Sequence, residues 1–311
     1  MGLHPGFKSF LYQMEYSTNN LYGKTIAVDA YIILYKLLTT TIKNDGSPYF
    51  SNGKNVSAII GMSRTYEKIF KSLNINPIFV FDGKPLEEKY ETIKERNSKK
   101  NDAYKKYEEA KTEGNFDDMK KYSVRTVKIT YDIVSSFKEY ISTLGYSYVN
   151  ATHDAEAVCA ELVNNGFADY ALTQDTDTIL YGCNGIIRNL KSSTYDLVSS
   201  ERILRNLNLT NNQLIYLAII TGTDYNVGIY GIGANKGLKY VKNANSIEEV
   251  LHNLVADGKI NSNEADKLIE RYKRSFDIFK ETQKISENDI IRNNEDHDKR
   301  NLILKQIFSE N

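Results

Sequence analysis

Short apolar runs that end in acidic residues recur along this chain and constrain its fold more than any other feature. The runs are 24–29, 77–82 and 168–173, and the acids at or just beyond their ends are Asp29, Asp82, Asp175 and Asp177. Shorter strand patterns lie at 145–149 and 185–190, residues 43–54 have the composition of a loop, and helical patterns, one of them over 55–73, lie between the strands. This alternation predicts an α/β fold with a mostly parallel sheet covered by helices. Because sites in such sheets form beyond the carboxyl ends of the strands, we expect the four acids to lie close together.

Two further carboxylates, Asp154 and Glu156, open a predicted helix. Each acid taken singly has a structural explanation. Asp29 suits a helix N-cap, Asp82 suits a turn, and the Asp154–Glu156 pair suits the positive end of a helix dipole. Taken together, six carboxylates at neighbouring strand and helix ends would repel one another strongly unless cations lie among them.

The candidate ligands are all oxygen donors, without histidine or cysteine among them. This donor set favours a hard cation, Mg²⁺ with Mn²⁺ as a substitute, over zinc. Two such ions could bridge a phosphodiester and activate water, so no protein nucleophile is required. The chain shows no Ser/His/Asp arrangement, and its four histidines form no catalytic group. The sequence therefore predicts metal-assisted hydrolysis of a nucleic-acid phosphodiester.

Charged residues dominate segment 84–128, which holds 13 Lys or Arg and ten Asp or Glu, a net charge of +3. The pattern is typical of a solvated helix pair with ion pairs along its faces. It equally fits a basic arm that follows a phosphate backbone. Both interpretations remain open from the residues alone.

A glycine-spaced stretch, 228–233, precedes a run that carries lysines and no acid before Ser246. Such turns between helices are common, so the stretch by itself says little. A helix that begins after such a turn, however, offers free backbone N–H groups to a phosphate. The lysines Lys236, Lys239 and Lys242 make a phosphate-binding helical hairpin plausible.

Bulk properties exclude several classes of protein. No apolar run is long enough to cross a bilayer, and the N-terminus lacks the regions of a signal peptide. The two cysteines, Cys159 and Cys183, have neither metal-ligand nor disulfide spacing, which favours a reducing compartment inside the cell. We expect the nucleus for a cellular eukaryotic protein and the cytoplasm for one of a cytoplasmic DNA virus. Formal net charge is zero, so any nucleic-acid surface must be local.

An ordered set of motifs resembles the structure-specific 5′ nucleases of the flap endonuclease and XPG family. The resemblance covers roughly residues 1–275, and its motifs are specific as a set. They are Ile26-Ala-Val-Asp29-Ala, Val80-Phe-Asp82-Gly-Lys-Pro85, Asp154-Ala-Glu156-Ala, Thr173-Gln-Asp175-Thr-Asp177, and Gly222-Thr-Asp224-Tyr followed by Gly231-Ile-Gly233.

The resemblance implies a PIN-like nuclease fold with a helical arch and a C-terminal helix-two-turn-helix region. It adds Asp224 to the two-ion metal site formed by the six acids above. It implies that Lys89 and Arg96 reach the scissile phosphate, and that K⁺ binds at the helix-two-turn-helix. The implied DNA contacts are Gly2, Tyr35, Lys99, Lys100, Gly231, Gly233 and Lys236.

The implied function is hydrolysis of DNA at 5′ flaps and junctions in replication, repair or recombination, by a protein that is monomeric on DNA. The resemblance also allows 5′–3′ exonuclease activity. The alternative is a catalytically inert member of the fold that binds nucleic acid or protein, although all seven carboxylate positions are filled. The predicted parts are a nuclease domain 1–275 and a helical C-terminal extension 276–311. Within the domain we expect an N-terminal region 1–110, an arch at about 84–128, and an internal region at about 129–260 with the helix-two-turn-helix at about 214–245.

Three departures from the family pattern qualify the resemblance. Asp154 stands where the family usually has glutamate, so its shorter side chain could hold a metal through water. The N-terminus carries one extra residue, which affects the placement of Gly2. The stretch Leu304-Lys-Gln-Ile-Phe fits a sliding-clamp peptide poorly, so we expect no clamp binding.

Overall fold

A computed structural model describes residues 5–311, and the predicted DNA contact Gly2 lies outside this range. Strands are short. They are β1 Met14–Ser17, β2 Thr25–Asp29, β3 Phe50–Ser51, β4 Lys54–Asn55, β5 Asn76–Phe81, β6 Ser147–Asn150, β7 Tyr170–Leu172, β8 Ile186–Arg188 and β9 Thr194–Val198. Short 3₁₀ turns are Pro5–Phe10, Thr18–Leu21, Glu87–Lys89, Thr176–Ile179 and Glu287–Asp289.

Helices account for most of the regular structure. They are α1 Ala30–Thr40, α2 Ser57–Arg64, α3 Tyr66–Ser72, α4 Tyr90–Thr112, α5 Phe116–Thr126, α6 Tyr131–Thr143, α7 Ala155–Asn164, α8 Ser200–Leu207, α9 Asn211–Thr221, α10 Ala234–Val241, α11 Ile247–Ala256, α12 Ser262–Lys280 and α13 His297–Ser309. Local sequence fixes many of their starts. The side chains of Thr130, Ser199 and Thr210, for example, each accept a backbone N–H three residues later and so cap α6, α8 and α9. No helix among residues 5–311 combines the length and the apolar character that a membrane span requires.

The chain divides into two compact units. The first unit contains the described residues up to Asn20, Gly83–Tyr90 and Ala151–Ile285. The second unit contains Leu21–Asp82, Glu91–Asn150 and Ser286–Asn311. The predicted partition into a nuclease domain 1–275 and an extension 276–311 stays a prediction.

The sheet of the second unit is fully parallel, with β5 between β2 and β6. Its central residues are completely apolar, as expected for strands covered on both faces. Val28 and Val80 are 0% exposed, so the acids at the ends of these two strands extend from a buried frame. Asp29 is the last residue of β2 and Asp82 directly follows β5. The prediction that these acids end neighbouring parallel strands is confirmed.

Aromatic packing and one buried carboxylate organise the rest of the second unit. Phe79 of β5 lies within 5.8 Å of the Phe137 ring and 6.2 Å of the Tyr146 ring, measured between centroids. Glu67 on α3 accepts hydrogen bonds from the Tyr140 hydroxyl of α6 at 2.6 Å and from Arg300 of α13 at 2.5 Å. The C-terminal helix is therefore tied to the core through a buried ion pair.

The first unit has a mixed sheet in the order β1, β9, β8, β7. The pair β7–β8 is parallel, while β8–β9 and β9–β1 are antiparallel. All three parallel pairs described lie among strands that the sequence predicted, and the antiparallel strands β1 and β9 were not predicted. The fold is thus α/β with a mostly parallel arrangement of its seven sheet strands, as expected.

Helices α9 and α10 of the first unit are joined by glycine turns that allow close packing. A Cβ atom at Gly228 would lie closer than 3.0 Å to the Thr221 carbonyl and to the Gly222 nitrogen. At Gly237, a Cβ would come within 2.6 Å of the Leu217 side chain, so α10 approaches α9 closely. The predicted helix, turns and helix at about 214–245 are present.

Substitution of Gly228 by alanine tests the turn. Because the added methyl group meets backbone atoms that cannot rotate away, we expect a loss of about 2–3 kcal/mol of unfolding free energy, or roughly 5–10 °C in Tm. Gly233→Ala is the matched control, since its Cβ would meet no atom within 4 Å and Gly233 has an ordinary φ of −94°. Thermal unfolding of both variants measures the difference, and equal Tm values would contradict the close approach.

Two local expectations were wrong. The end of the segment 43–54, which was expected to be a loop, forms the β3–β4 hairpin over residues 50–55, whose turn residues Asn52 and Gly53 have φ of 47° and 73°. Asn-Gly is the sequence signal of such a turn, so the hairpin was readable. The single helix expected from Asn55 to Leu73 is two helices, because Thr65 leaves the helical region at φ −124° and ψ −85°.

Candidate metal centre

Asp175 and Asp177 lie in the first unit on the turn after β7. The Asp175 side chain caps the 3₁₀ turn Thr176–Ile179 by accepting the Asp177 N–H at 3.0 Å. The Thr173 hydroxyl in turn accepts the Asp175 N–H at 3.0 Å. Asp175 thus has the capping role that its sequence position allows, and this cap also fixes the backbone of Asp177.

Asp177 has a fully buried carboxylate without hydrogen bonds among the described residues. It is 0% exposed, and neither carboxylate oxygen has a hydrogen-bond partner among residues 5–311. Burial raises the pKa of Asp177 well above the usual carboxyl range, and the charges of Asp175, Asp224 and Glu156 add to the effect. A buried carboxylate without a partner is costly, so this position requires a proton or a cation.

Asp154 and Glu156 lie at the start of α7, beside the same group. The Lys89 ammonium lies 2.6 Å from Oδ1 of Asp154 and 2.9 Å from Oε1 of Glu156. Asp154 is the N-cap residue of α7, at the positive end of the helix dipole as its structural explanation predicted, but its side chain makes no capping hydrogen bond. Both carboxylates instead turn toward a single cation.

Lys89 is buried in this ion pair, with 8% of its surface exposed. Burial alone would lower the pKa of Lys89, but the charges of Glu156 and Asp154 and their hydrogen bonds outweigh burial and raise it. The ammonium also lies 5.0 Å from the centroid of the Tyr225 ring. Lys89 therefore stays charged and compensates two of the acids.

Two buried tyrosines complete the group and were not predicted. The Tyr225 hydroxyl donates to Oδ2 of Asp154 at 2.6 Å and lies 2.8 Å from the Tyr181 hydroxyl. Burial raises the pKa of Tyr225 well above its usual value, and the neighbouring Tyr181, Glu156 and Asp154 contribute in the same direction. Tyr225 directly follows Asp224 in the sequence, and that adjacency was the available signal.

Asp224 follows the turn after α9 and is 8% exposed. Gly222 permits this turn with a φ of 102°. The Thr223 hydroxyl accepts the Tyr225 N–H at 3.1 Å, and the Thr223 N–H donates to the Asn226 carbonyl at 3.1 Å. The loop that carries Asp224 is thus ordered by its own hydrogen bonds.

Asp29 and Asp82 belong to the second unit. The Asp29 side chain accepts the Ile32 N–H at 3.2 Å and caps α1, as one explanation of this residue predicted. Burial raises the pKa of the Tyr31 phenol, and the negative charge of Asp82 raises it further. The participation of Asp29 and Asp82 in the metal site stays a prediction.

Five carboxylates of the first unit fit a hard divalent cation. They supply only oxygen donors, they are positioned by buried elements, and Asp177 has no hydrogen-bond partner among the described residues. One carboxylate oxygen of Asp154 and one of Glu156 lie within 4.8 Å of each other, a spacing that a shared ligand can span. The arrangement can bind a cation and bring it to an anionic substrate.

The predicted basic and aromatic contacts lie on α1 and α4 of the second unit. Tyr35 is 44% exposed, and its hydroxyl donates to the Val124 carbonyl of α5 at 3.4 Å. Burial lowers the pKa of Lys100, and the charges of Lys128 and Arg96 lower it further. The charges of Arg96 and Lys128 thus act on Lys100, and Lys128 was not among the predicted contacts. Lys99 is exposed on the same helix.

The glycine turn before α10 leaves its helix N-terminus accessible. Gly231 has a φ of 76°, and Gly233 precedes α10 without a side-chain cap. An open hollow of about 430 Å³ is lined by Gly6 and by residues 231–236. The Lys236 ammonium is exposed and donates to the Gly231 carbonyl at 3.4 Å. These groups can receive a phosphate, as the hairpin prediction requires.

Comparison with known proteins decides the family. The XPG N-terminal domain family matches residues 1–103, and the XPG I-region family matches residues 145–224. Flap endonuclease 1 of Methanosphaera stadtmanae is 37% identical over 255 residues, which cover 80% of this chain and 77% of that protein. The chain belongs to the flap endonuclease family. Flap endonuclease 1 of Methanococcus aeolicus is 36% identical over 279 residues, which cover 88% of this chain and 80% of that protein.

Solved structures of similar fold support the assignment to the flap endonuclease family. Flap endonuclease-1 from Methanococcus jannaschii superposes with a TM-score of 0.65 at 27% identity, and 97% of each chain is covered. The catalytic core of Rad2 shares the fold with a TM-score of 0.68 at 22% identity, covering 96% of this chain and 92% of that one. The PIN-like nuclease fold is confirmed. This flap endonuclease family member is a structure-specific 5′ nuclease and a hydrolase, and the inert alternative is not favoured.

Proposed function

We propose that this nuclease hydrolyses DNA phosphodiesters at 5′ flaps and related junctions, with the carboxylates of the first unit as its metal centre. The buried Asp177 carboxylate carries the proposal, because its two oxygens have no hydrogen-bond partner among residues 5–311, and burial together with three further acids raises its pKa. The flap endonuclease relatives support DNA flaps as the substrate class. The proposed biological setting is DNA replication, repair or recombination, and 5′–3′ exonuclease activity is part of the proposal.

Asp154, Glu156, Asp175, Asp177 and Asp224 would hold divalent cations, Mg²⁺ or its substitute Mn²⁺. The family resemblance adds Asp29 and Asp82. Two ions would lower the pKa of the attacking water and stabilise charge on the leaving 3′ oxygen. The products would carry a 5′-phosphate and a 3′-hydroxyl.

The protein's own groups bind and orient the DNA. Lys89 donates to Asp154 and Glu156 in the structure, and its role at the scissile phosphate requires it to exchange these partners for phosphate oxygens. Arg96, Lys99 and Lys100 on α4 would contact the phosphates of a single strand. The exposed ring of Tyr35 offers a surface on which a base can stack.

The turn between α9 and α10 would bind the duplex backbone. Gly231 and Gly233 allow a phosphate to approach the free N–H groups of α10, and Lys236 supplies a positive charge beside them. A K⁺ ion at this turn is the remaining part of the proposal. Backbone carbonyl oxygens of the turn would be its ligands.

Incubation of the full chain with an end-labelled 5′-flap DNA tests the function. Cleavage near the junction is expected with Mg²⁺ or Mn²⁺ and none with a chelator. A blunt duplex of the same sequence is the substrate control. Cleavage that survives chelation would refute the metal centre, and cleavage of the duplex at the same rate would refute flap specificity.

Asp175→Asn separates catalysis from folding. Asparagine still accepts the Asp177 N–H and still caps the 3₁₀ turn, so thermal stability is expected to stay close to wild type. The lost charge removes a metal ligand, so cleavage is expected to fall by about 10³-fold while duplex binding stays nearly intact. Flap cleavage, a binding titration and a melting curve are the three measurements. Cleavage near the wild-type rate would exclude Asp175 as a ligand.

A further inference from the structure

The Asp154 carboxylate has two oxygens with different partners. Its Oδ1 faces Lys89 at 2.6 Å, on the side where Oε1 of Glu156 also contacts the ammonium at 2.9 Å. Its Oδ2 accepts the Tyr225 hydroxyl at 2.6 Å. The carboxylate is therefore held so that one chosen oxygen is presented to a cation.

Burial, a hydroxyl contact and ring packing hold the Tyr225 side chain in place. Its side chain is 1% exposed, its hydroxyl lies 2.8 Å from the Tyr181 hydroxyl, and its ring meets the Phe279 ring at a centroid distance of 5.3 Å. Tyr181 also contacts the Phe279 ring, at 5.2 Å. A donor held this rigidly restricts the carboxylate that it binds.

We infer that Tyr225 is a positioning residue that sets the orientation of Asp154 for cation binding. The inference rests on the proposed metal centre. The aspartate side chain is short, so its carboxylate depends on its neighbours to reach a cation in a defined orientation. Groups that orient a ligand carboxylate in this way affect metal affinity about 10- to 100-fold.

A simpler explanation is that the tyrosine hydroxyls only satisfy each other as buried polar groups. That explanation predicts a stability effect and no effect on metal affinity. Tyr225→Phe distinguishes the two, because phenylalanine keeps the ring near Lys89 and against Phe279 and removes only the hydroxyl.

Calorimetric titration of Mn²⁺ into the full chain without DNA is the main measurement. Tyr225→Phe is expected to bind Mn²⁺ at least about tenfold more weakly than wild type. The Mg²⁺ concentration for half-maximal flap cleavage should rise by a similar factor, while cleavage at saturating Mg²⁺ recovers most of its rate. Tyr216→Phe is the matched control, since Tyr216 is also buried and donates to a backbone carbonyl, that of Asn245, at 3.0 Å. Its Mn²⁺ affinity should equal that of wild type.

A double variant tests whether Tyr225 acts through Asp154. In a protein that already carries Asp154→Asn, the further change Tyr225→Phe is expected to leave the Mn²⁺ affinity unchanged. Equal Mn²⁺ affinity of wild type and Tyr225→Phe, or the same loss in both backgrounds, would overturn the inference and leave the metal centre standing. If wild type binds no Mn²⁺, the metal centre and the inference fall together. Tyr181→Phe, which removes the outer hydroxyl only, gives a second, smaller loss if the inference holds.

Discussion

Replacement of Asp177 by asparagine is expected to abolish cleavage and, without divalent cations, to make the protein harder to unfold. The wild-type carboxylate is fully buried, has no hydrogen-bond partner among residues 5–311, and is repelled by Asp175, Asp224 and Glu156. Removal of an uncompensated buried group of this kind is worth about 1–3 kcal/mol, which corresponds to roughly 2–9 °C in Tm. Loss of a metal ligand should lower cleavage by about 10³-fold.

The same change should alter the pH dependence of stability. Because the pKa of Asp177 is raised in the folded protein, the folded state binds a proton that the unfolded state releases. This holds in the pH range above the ordinary carboxyl pKa. Stability of the metal-free wild type should therefore fall as pH rises from mildly acidic to neutral, and Asp177→Asn should reduce that slope.

Denaturant unfolding in a chelator at several pH values measures both effects. Asp266→Asn is the control, because Asp266 is exposed on α12 of the same unit. Addition of Mg²⁺ should stabilise wild type and not Asp177→Asn. The difference in unfolding free energy between the two proteins should therefore become smaller or change sign. A metal-free Asp177→Asn protein that is less stable than wild type at neutral pH would contradict the interpretation of Asp177 as an uncompensated charge.

The sequence predicted the positions of the acids in the fold better than it predicted the residues that contact them. Asp29, Asp82, Asp175 and Asp177 follow strands as predicted, because buried apolar runs and the breaks after them are local features. The placement of Lys89 on Asp154 and Glu156 joins residues more than 60 positions apart in sequence. No local pattern specifies such a contact. The Tyr225–Asp154 hydrogen bond spans a similar separation, so it too required the tertiary structure.

The missed strands have a related cause. β1 and β9 pair antiparallel at one side of the first unit's sheet, and β1 is largely exposed. The edge strand β1 has no fully buried residue and β9 has two among its five, so neither sequence contains the apolar run that identified β2 and β5. β1 pairs with β9, which lies far along the chain from it, and β9 pairs in turn with β8, so tertiary pairing decides the structure of both strands.

Replacement of Lys89 by methionine should have the opposite effect on stability to Asp177→Asn. Methionine keeps most of the side-chain volume and removes the ammonium that compensates Asp154 and Glu156. Loss of one partner from a buried ion pair costs about 3–5 kcal/mol, so the metal-free variant should unfold much more easily than wild type. Lys121→Met is the control, because its pair with Asp118 is solvent-exposed and so contributes little to stability.

Divalent cations should then protect Lys89→Met more than wild type, since a metal ion replaces the missing charge between the same carboxylates. Cleavage should nevertheless stay low at saturating Mg²⁺, because the proposed phosphate contact is lost with the ammonium.

The double variant Lys89→Met/Asp177→Asn removes one positive and one negative charge, so its metal-free stability should lie between those of the two single variants. A metal-free Lys89→Met protein as stable as wild type would show that the ion pair contributes nothing. Opposite signs for the two single changes would instead show that uncompensated negative charge limits the stability of this centre and is the property that draws divalent cations to it.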